Sequence, residues 1–258
     1  MREGWKVDKI GNYVDLQQGF ALNKKSDYHI SDVPTQYPLL KISDLINNTE
    51  TLFVKESIPK QFLIHEHELI FSRTGQVGLI FKGKKGVIYN NCFKIIPNEL
   101  IDSDYIYYYF KQDYVIENVR NLATGAAQPD LNHSAFKSID ISFPESKETQ
   151  RKIAKILSNY DDLIENNLKR IKILEEMAQQ TYEEWFVRMR FPGHESATIN
   201  PETGLPEGWE KVKLGEVCNF SQGLQVPIEK QFTQFSNELI RFIRIVDVTQ
   251  NTNDIRYI

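Results

Sequence analysis

Cysteine is scarce in this sequence, which has Cys92 and Cys218 as its two thiols among 258 residues. Two cysteines so far apart indicate neither a disulfide framework nor a zinc knuckle, and two small buried thiols in a reducing compartment fit them best. No apolar run approaches the roughly 20 residues that cross a bilayer, and the first residues lack the apolar run of a signal peptide. We therefore expect a cytoplasmic chain that does not enter a membrane.

Catalytic patterns are missing as well. The sequence has no glycine-rich phosphate loop of recognised spacing. The one closely spaced set of metal-ligand types, His65-Glu66-His67, would alternate between the faces of a strand and lacks a third obvious ligand. We expect no metal, no cofactor and no catalytic activity of the chain's own, so that any chemistry belongs to partner proteins.

An excess of positive charge is also absent, because 31 Lys and Arg residues face 35 Asp and Glu residues and the net charge is −4. Nucleic-acid-binding domains usually carry a basic footprint. The charge is uneven, however, since the segment from Ser72 to Lys94 contains no acid and five basic residues, Arg73, Lys82, Lys84, Lys85 and Lys94. Two interpretations stay open: one face of a binding groove, or a solvated hairpin with lysines at exposed turns.

What is present suffices for a folded core, with 41% hydrophobic and 12% aromatic residues. Residues 1–146 contain short apolar runs separated by Gly, Pro, Asn and Asp, which predict strands. These runs are 37–42, 68–72, 78–82, 86–89 and 92–96, with a turn at 83–86. A helix is predicted from Ser103 through Val119, capped by Asp or Ser. The pattern is typical of an α+β globular domain.

A long helix is predicted from about Lys147 to Arg190, because no Gly or Pro interrupts this segment. At ~1.5 Å per residue it would extend roughly 65 Å, more than a globular core needs. A seven-residue apolar seam runs along it, and such a seam favours a partner helix, whose register a polar Asn would fix. The seam consists of Leu157, Ile164, Ile171, Ala178 and Trp185, with Tyr160, Asn167, Leu174 and Thr181 at the companion positions. The alternative is a surface helix packed on its own domain.

The chain also contains an internal repeat. Glu3-Gly4-Trp5 recurs as Glu207-Gly208-Trp209, and at the same offset Lys9, Gly11 and Gln18-Gly19 recur as Lys213, Gly215 and Gln222-Gly223. Residues 40–44 align with 243–247 after one residue of slippage. We interpret residues 191–206, which carry Pro and Gly at turn positions, as a linker, and residues 207–258 as the first part of a second, incomplete copy.

Three segments carry a resemblance to a known family. The Gly-Trp and Leu-Gly pattern of residues 206–217, with its earlier copy near Trp5, is similar to the opening of a recognition domain. Residues 67–78 contain Ser-Arg-Thr-Gly, and residues 124–132 are followed by the similar segments 139–144 and 148–153. In order and spacing these resemble the specificity (S) subunits of type I restriction-modification systems. Where that family commonly has a double proline and Glu-Gln, this chain has Phe143-Pro144 and Thr149-Gln150.

The resemblance implies a target-recognition domain that reads half of a split site in double-stranded DNA. It also implies that long helices pack together as a spacer and dock methyltransferase (M) subunits, which bring restriction (R) subunits. A stiff helical pair would make half-site spacing a consequence of helix length. Because the second copy stops at Ile258, we expect either a truncated chain or a half-length form. A half-length form would pair as a homodimer through the long helix and read a symmetric site. A third interpretation is a nuclease acting alone.

Candidate DNA contacts gather in loops. Arg73 follows a strand, in a loop with two glycines, and its guanidinium suits a guanine edge or a phosphate. The alternative is an arginine tied to a nearby carbonyl or carboxylate. The other candidates are Thr74 and Gln76 in the same loop, Lys82, Lys84 and Lys85 as phosphate contacts, Asn91 as an adenine reader, and Lys24 and Lys25 in the loop after Gly19. Asn91 serves equally as a turn residue, and the loop lysines and polar residues as solvated side chains.

Overall fold

The computed structural model describes residues 4–24, 26–125, 128–249 and 255–258, and the chain divides into two units, Met1–Glu176 and Met177–Ile258. The first unit has the predicted α+β composition, with short strands and helices followed by the long helix. Its elements are β1 (Trp5–Lys9), β2 (Val14–Gln18), β3 (Ile30–Ser31), β4 (Leu39–Leu40), α1 (Ile42–Asn47), β5 (Phe53–Val54), β6 (Leu63–Ile64), β7 (Leu69–Ser72), β8 (Ile80–Phe81), β9 (Gly86–Ile88), β10 (Cys92–Pro97), α2 (Ser103–Phe110), α3 (Asp113–Leu122), α4 (His133–Lys137), β11 (Asp140–Pro144) and α5, which begins at Lys147.

The central sheet of the first unit has the strand order β2-β10-β7-β8. Its middle strand β10 pairs antiparallel with both neighbours, and Phe93 lies opposite Phe71. These two rings pack against Phe110 and Phe136, with centroid distances of 4.9 to 5.2 Å in three ring pairs. Strand alternation turns Cys92 to the opposite side, into a second cluster. The sheet is therefore covered by an apolar cluster on each face.

The neighbouring strands β8 and β9 belong to different sheets. β8 pairs with β7, whereas β9 joins β4 and β6 in a three-stranded sheet. The segment from Lys82 to Lys85 therefore connects two sheets, and the interpretation as a solvated hairpin is wrong. The remaining pairs of this unit are β1 with β11 and β3 with β5.

The single helix predicted from Ser103 through Val119 is two helices. Asp102 caps α2, because its side chain accepts hydrogen bonds from the backbone amides of Asp104 and Tyr105. Gln112 is extended, at φ −77° and ψ 131°, and starts α3. The spacing of the buried apolar residues explains the break. Phe110 and Val115 are five positions apart, so one straight helix would place them on different sides and could not bury both in the same core.

The helix α5 (Lys147–Tyr182) is 36 residues long and continues as a five-residue π-helical segment, Glu183–Val187. The α-helical part spans about 54 Å at ~1.5 Å per residue. The predicted long helix is thus confirmed, and its helical residues end at Val187, shortly before Arg190. Met189 has a φ of 58°, a left-handed conformation that cannot continue a right-handed helix.

Gln150 fixes the start of α5 to the first unit. Its side chain is fully buried; Oε1 accepts from the Asp102 amide at 2.8 Å, and Nε2 donates to the carbonyls of Leu100 at 3.2 Å and Pro144 at 2.8 Å. The amide therefore links the loop before α2, the end of β11 and the helix. Thr149 replaces the Glu that is common in the family that the sequence resembles, whereas Gln150 is present and makes these three hydrogen bonds.

We predict that Gln150→Leu destabilises the chain by about 1–3 kcal/mol, because it leaves one amide and two carbonyls without their buried partner. The matched control is Gln180→Leu, since Gln180 lies on the same helix and is exposed. Urea denaturation followed by circular dichroism measures both. Equal midpoints for the two variants would contradict this role of Gln150.

The second unit contains α6 (Leu214–Val217), β12 (Arg241–Phe242), α7 (Ile245–Thr249) and β13 (Arg256–Tyr257), with β12 and β13 paired. The repeat is visible in its helix caps. The carboxylate of Asp247 accepts from the Arg244 amide at 2.8 Å, as that of Asp44 accepts from the Lys41 amide at 3.3 Å. The same local sequence thus builds the same helix start in both units.

Burial differs sharply between the two copies. Ile10 is fully buried, whereas its counterpart Leu214 is 64% exposed. The two cysteines follow the same division: burial raises the pKa of the Cys92 thiol to about 12, while Cys218 is exposed, which corrects the expectation of two buried thiols. No helix in the described ranges is both long and apolar enough to span a membrane.

Candidate nucleic-acid interface

The loop from Arg73 to Gly78 leaves the end of β7 in a tight turn. The hydroxyl of Ser72 accepts from the Leu79 amide at 2.8 Å, and the Ser72 carbonyl accepts from the Gly78 amide at 3.1 Å. Gly75 and Gly78 have φ values of 81° and 97°, which a residue with a Cβ adopts only under strain. The turn presents Gly75 and Gln76 to solvent, so its tip is free to meet a ligand.

Arg73 is paired with Asp130, from the loop that precedes α4. Its Nη2 lies 2.7 Å and 2.5 Å from the two carboxylate oxygens, and the Thr74 hydroxyl donates to the same carboxylate at 2.6 Å. Burial opposes ionisation of Asp130, but the hydrogen bonds from Thr74 and Arg73 and the charge of Arg73 outweigh it, so the pKa of this carboxyl is lowered. The pair holds the two loops together.

Gln18 and His133 complete this polar network. Gln18 Oε1 accepts from Arg73 Nη1 at 3.1 Å and lies 3.1 Å from His133 Nε2. Burial, followed by the positive charges of Arg73 and Lys137, lowers the pKa of His133, so its ring is neutral near pH 7 and donates to Gln18. Gln18 in turn donates to the Asn90 carbonyl. Four chain segments thus meet at Arg73.

Asn91 joins the network through its backbone. Its carbonyl accepts from the amides of Arg73 at 2.8 Å and Thr74 at 3.3 Å. Two buried polar atoms of the network, Asn91 Oδ1 and Arg73 Nε, have no hydrogen-bond partner within the described residues. Both atoms are buried beside the ion pair, so the network contains two polar atoms that neither the described residues nor solvent satisfies.

The basic run loses most of its free charge in three dimensions. Lys82 pairs with Asp104, and Lys94 with Glu68 at 2.9 Å, while Lys84 donates to Asn48 at 2.6 Å. Lys85 is exposed and has no ion pair or hydrogen bond within the described ranges. Acids distant in sequence, Asp104, Glu68 and Asp130, thus neutralise residues that the sequence shows as an acid-free run.

The structure brings three of the sequence candidates together, Arg73, Thr74 and Asn91. The side chain of Gln76 is exposed at the tip of the same loop, and Lys24 is exposed in the loop after β2, while Lys25 lies outside the described residues. Sequence reasoning missed Gln18, Asp130 and His133 as members of the network. The recurrence of Gln18 as Gln222 in the repeat, and the position of Asp130 within the family-like segment, were the available signals.

Metal ligands do not converge in the described part of the chain, where no group of three or more His, Cys, Asp or Glu side chains is placed to hold an ion. His65 and His67 lie in the turn between β6 and β7, not on a strand, and their rings are parallel with centroids 6.0 Å apart. The polar network around Arg73 offers hydrogen-bond donors, acceptors and charge, which suit recognition of a ligand.

The seam of α5 forms a second candidate surface. Within this fully described helix Gln150 and Ala154 are the buried residues, so the alternative of a helix packed along its own domain is wrong. The five large apolar seam residues, Leu157, Ile164, Ile171, Leu174 and Trp185, are 38% to 60% exposed, and Asn167 and Ala178 are exposed beside them. A contiguous apolar stripe of this length marks an interaction surface.

Two specificity subunits of type I restriction enzymes are similar to this chain in sequence. The type I restriction enzyme MjaIX specificity subunit of Methanocaldococcus jannaschii is 30% identical over 252 residues, which cover 93% of this chain and 57% of that protein. The MjaVIII specificity subunit of the same organism is 27% identical over 248 residues and is covered to 56%. The chain thus spans little more than half the length of these relatives.

Solved structures share the fold. The S subunit of a type I restriction-modification system from M. genitalium matches with a TM-score of 0.61 at 19% identity, covering 90% of this chain and 58% of that one. The HsdS subunit from Thermoanaerobacter tengcongensis matches with a TM-score of 0.51 at 17% identity, covering 75% and 46%. The family model of the type I restriction modification DNA specificity domain matches residues 2–176. Since this match covers more than half of the chain, the chain belongs to the family of type I restriction modification DNA specificity domains.

Proposed function

We propose that this chain is the DNA-reading subunit of a type I restriction-modification complex and that its first unit binds one half of a bipartite site in double-stranded DNA. The observation that carries the proposal is the family match over residues 2–176, which contain the polar network around Arg73. Arg73, Thr74, Gln76 and Asn91 contact the DNA, with Lys24, Lys25, Lys82, Lys84 and Lys85 nearer its phosphates. The chain acts in the cytoplasm and performs no catalysis.

Methyltransferase subunits dock on α5 and bring the restriction subunits with them. This proposal is supported by exposed apolar residues on more than one side of α5. Residues advance about 100° around a helix per position, so Ile173 lies on a different side of α5 from the seam residues Ile171 and Leu174. Ile173 is 55% exposed. One side of α5 is therefore available for a partner helix while another receives a different subunit.

The experiment is a binding titration with the chain alone and with its methyltransferase partner, using duplex DNA and fluorescence anisotropy. We expect weak, sequence-independent binding alone and specific binding by the complex. Methylome sequencing of cells with and without the gene identifies the site and its symmetry. Unchanged methylation after deletion overturns the proposal. Cleavage of DNA by the pure chain with magnesium would favour a nuclease instead.

We predict that Lys85→Ala lowers the salt dependence of DNA binding by the complex, reducing the slope of log K against log salt by about 1, because one phosphate contact is lost. Lys85 is the suitable position since its ammonium has no partner within the described residues. Lys155→Ala, at an exposed position on α5, is the matched control and leaves the slope unchanged. Equal slopes for Lys85→Ala and the unaltered chain would remove Lys85 from the interface.

A second arrangement is favoured by the uncovered seam: two copies of this chain pair through α5 and together read a symmetric site. Burial of the seam residues would give a continuous apolar core along the helix pair, with Asn167 fixing the register. Light scattering across a concentration series tests the pairing. A strictly monomeric chain at high concentration contradicts it without affecting the recognition of a half-site by the first unit.

A further inference from the structure

A cavity in the first unit lies between the loop from Arg73 to Gly78 and the last turn of α3. It has a volume of about 340 Å³ and is lined by Gly75, Gln76, Val77, Leu79, Arg120 and Pro129. That is the volume of roughly eleven water molecules at ~30 Å³ each, which leaves room for a phosphate group. Arg120 is basic and none of the other lining residues is acidic. The cavity therefore suits an anion better than a cation.

The guanidinium of Arg120 is used only in part by the protein. Its Nε donates to the Val77 carbonyl at 3.3 Å. Its two Nη nitrogens have no hydrogen-bond or ion-pair partner in the part of the chain that the structure describes, and the residue is exposed. Arg73, Lys82 and Lys94 differ, because each of them pairs with a carboxylate. Arg120 thus keeps two nitrogens for a ligand, and this planar fork matches two oxygens of a phosphate.

Packing fixes the position of Arg120 against the loop. The preceding residue, Val119, is fully buried in the same apolar cluster as Val77. Gly78 lies close to α3, since a Cβ at this position would be 3.4 Å from Cγ2 of Ile116 and 3.7 Å from Cγ1 of Val119. Helix and loop are therefore packed together before any ligand arrives. A guanidinium held in this way loses less conformational freedom on binding than one on a mobile loop.

The tip of the loop is open to a ligand. Gly75, which lines the cavity, has no heavy atom within 4 Å of the place where a Cβ would stand. Its amide donates to the Pro129 carbonyl at 2.9 Å, which connects the loop to a second lining residue. The side chain of Gln76 is exposed at the same tip and carries an amide donor. A phosphate can therefore approach the backbone of the loop closely and meet Arg120 and Gln76 together.

We propose that Arg120 binds a phosphate of the DNA backbone in this cavity and thereby sets where the loop from Arg73 to Gly78 meets the duplex. The inference rests on the proposed function and adds to it a contact from α3, outside the recognition loop. Phosphate contacts position a protein on DNA, whereas contacts to base edges read the sequence. Arg120 holds the loop through Nε and the phosphate through its Nη nitrogens, so the phosphate fixes the register in which Arg73 and Gln76 face the bases.

Salt dependence of DNA binding tests the contact, measured on the complex with the methyltransferase partner. We expect Arg120→Ala to weaken binding of target and unrelated duplexes alike, by about threefold to tenfold, and to reduce the slope of log K against log salt by about 1. Arg151→Ala removes an exposed arginine at the base of α5 and is the matched control, with affinity and slope unchanged. Melting curves verify that both variants are folded.

A role limited to holding Val77 gives a different result. It lowers discrimination between target and single-mismatch duplexes but leaves the salt slope as it is, because no phosphate contact is lost. Equal slopes for Arg120→Ala and the unaltered chain therefore overturn the proposal, whatever happens to discrimination.

Neutral methylphosphonate linkages locate the phosphate. Each replaces one charged linkage of the target duplex that methylome sequencing identifies. We expect a linkage whose replacement weakens binding by the unaltered chain but costs Arg120→Ala little more, because both changes remove the same interaction. Additive losses at every linkage overturn the contact. An unaltered complex that binds duplexes without preferring its target refutes the proposed function while the salt slope still judges Arg120, and a complex that binds no duplex refutes both.

Discussion

Arg73→Ala is expected to weaken binding of target DNA by the assembled complex about 10-fold to 100-fold, the effect of losing one bidentate contact of ~1–3 kcal/mol. Arg73 Nη2 is held by Asp130, Nη1 contacts Gln18, and Nε has no partner within the described chain. The side chain is 22% exposed. The guanidinium is thus oriented by Asp130 and Gln18, and because Nε is buried, a base edge or a phosphate would meet the exposed part of the side chain.

Asp130→Ala separates direct contact from a purely structural role. If Arg73 touches DNA, removing Asp130 frees the guanidinium and deletes a negative charge, so overall affinity is kept or raised while discrimination between target and altered sites falls. If Arg73 only holds the two loops together, both variants lose affinity equally. Anisotropy titrations with target and single-mismatch duplexes measure this. Arg151→Ala, which breaks an ion pair with Asp102 at the base of α5, is the control and should leave DNA affinity unchanged.

Unfolding must be excluded as the cause of any loss. Neither Arg73 nor Asp130 is deeply buried, at 22% and 37% side-chain exposure, so solvent screens the pair and the cost of breaking it is well below that of a fully buried pair. We therefore expect both variants to remain folded. Melting curves of the two variants and of Arg151→Ala verify that they are compared as folded proteins.

The sequence predicted the features that depend on local pattern. The long helix follows from the seven-residue seam and from the absence of Gly and Pro, and strands β7 and β10 follow from short apolar runs. The break between α2 and α3 was missed because no Gly or Pro marks it. The available signal was the five-residue spacing of Phe110 and Val115, which one straight helix would place on different sides.

The candidate site was less accessible to sequence reasoning because its contacts are long-range. Asp130 is 57 positions from Arg73, and His133 is 115 positions from Gln18. Nothing in a local pattern shows which carboxylate will meet which arginine, and the same applies to Lys82 and Asp104. A basic run in sequence is therefore not a basic surface until the acids brought to it by the fold have been located.

The repeat shows a related limit. Ile10 and Leu214 are apolar residues at matching positions of the repeat, yet Ile10 is fully buried and Leu214 is 64% exposed. In the first unit Ile10 belongs to a cluster with residues of β7, β10 and β11. Burial is a property of the segments that pack around a residue, so a repeated opening segment reproduces helix caps, which are local, without reproducing the core.

Ile171→Asp is expected to raise the dimer Kd more than 100-fold, because two-fold pairing of α5 would bury the new carboxylate at two places along the seam. The effective penalty for burying an ion without a partner is several kcal/mol. In the isolated chain Ile171 is 51% exposed, so the substitution costs the fold of the monomer little. Analytical ultracentrifugation of the variant and the unaltered chain gives the two constants.

Ile173→Asp is the matched control, since Ile173 is the same residue type with 55% exposure on a side of the helix that the seam does not use. It should leave the dimer Kd within a few-fold of the unaltered chain and weaken binding of the methyltransferase partner. If Ile171→Asp and Ile173→Asp dissociate the dimer equally, the copies do not pair along Leu157, Ile164 and Ile171. If neither does, α5 is not where the copies meet, and a single chain carries the half-site alone.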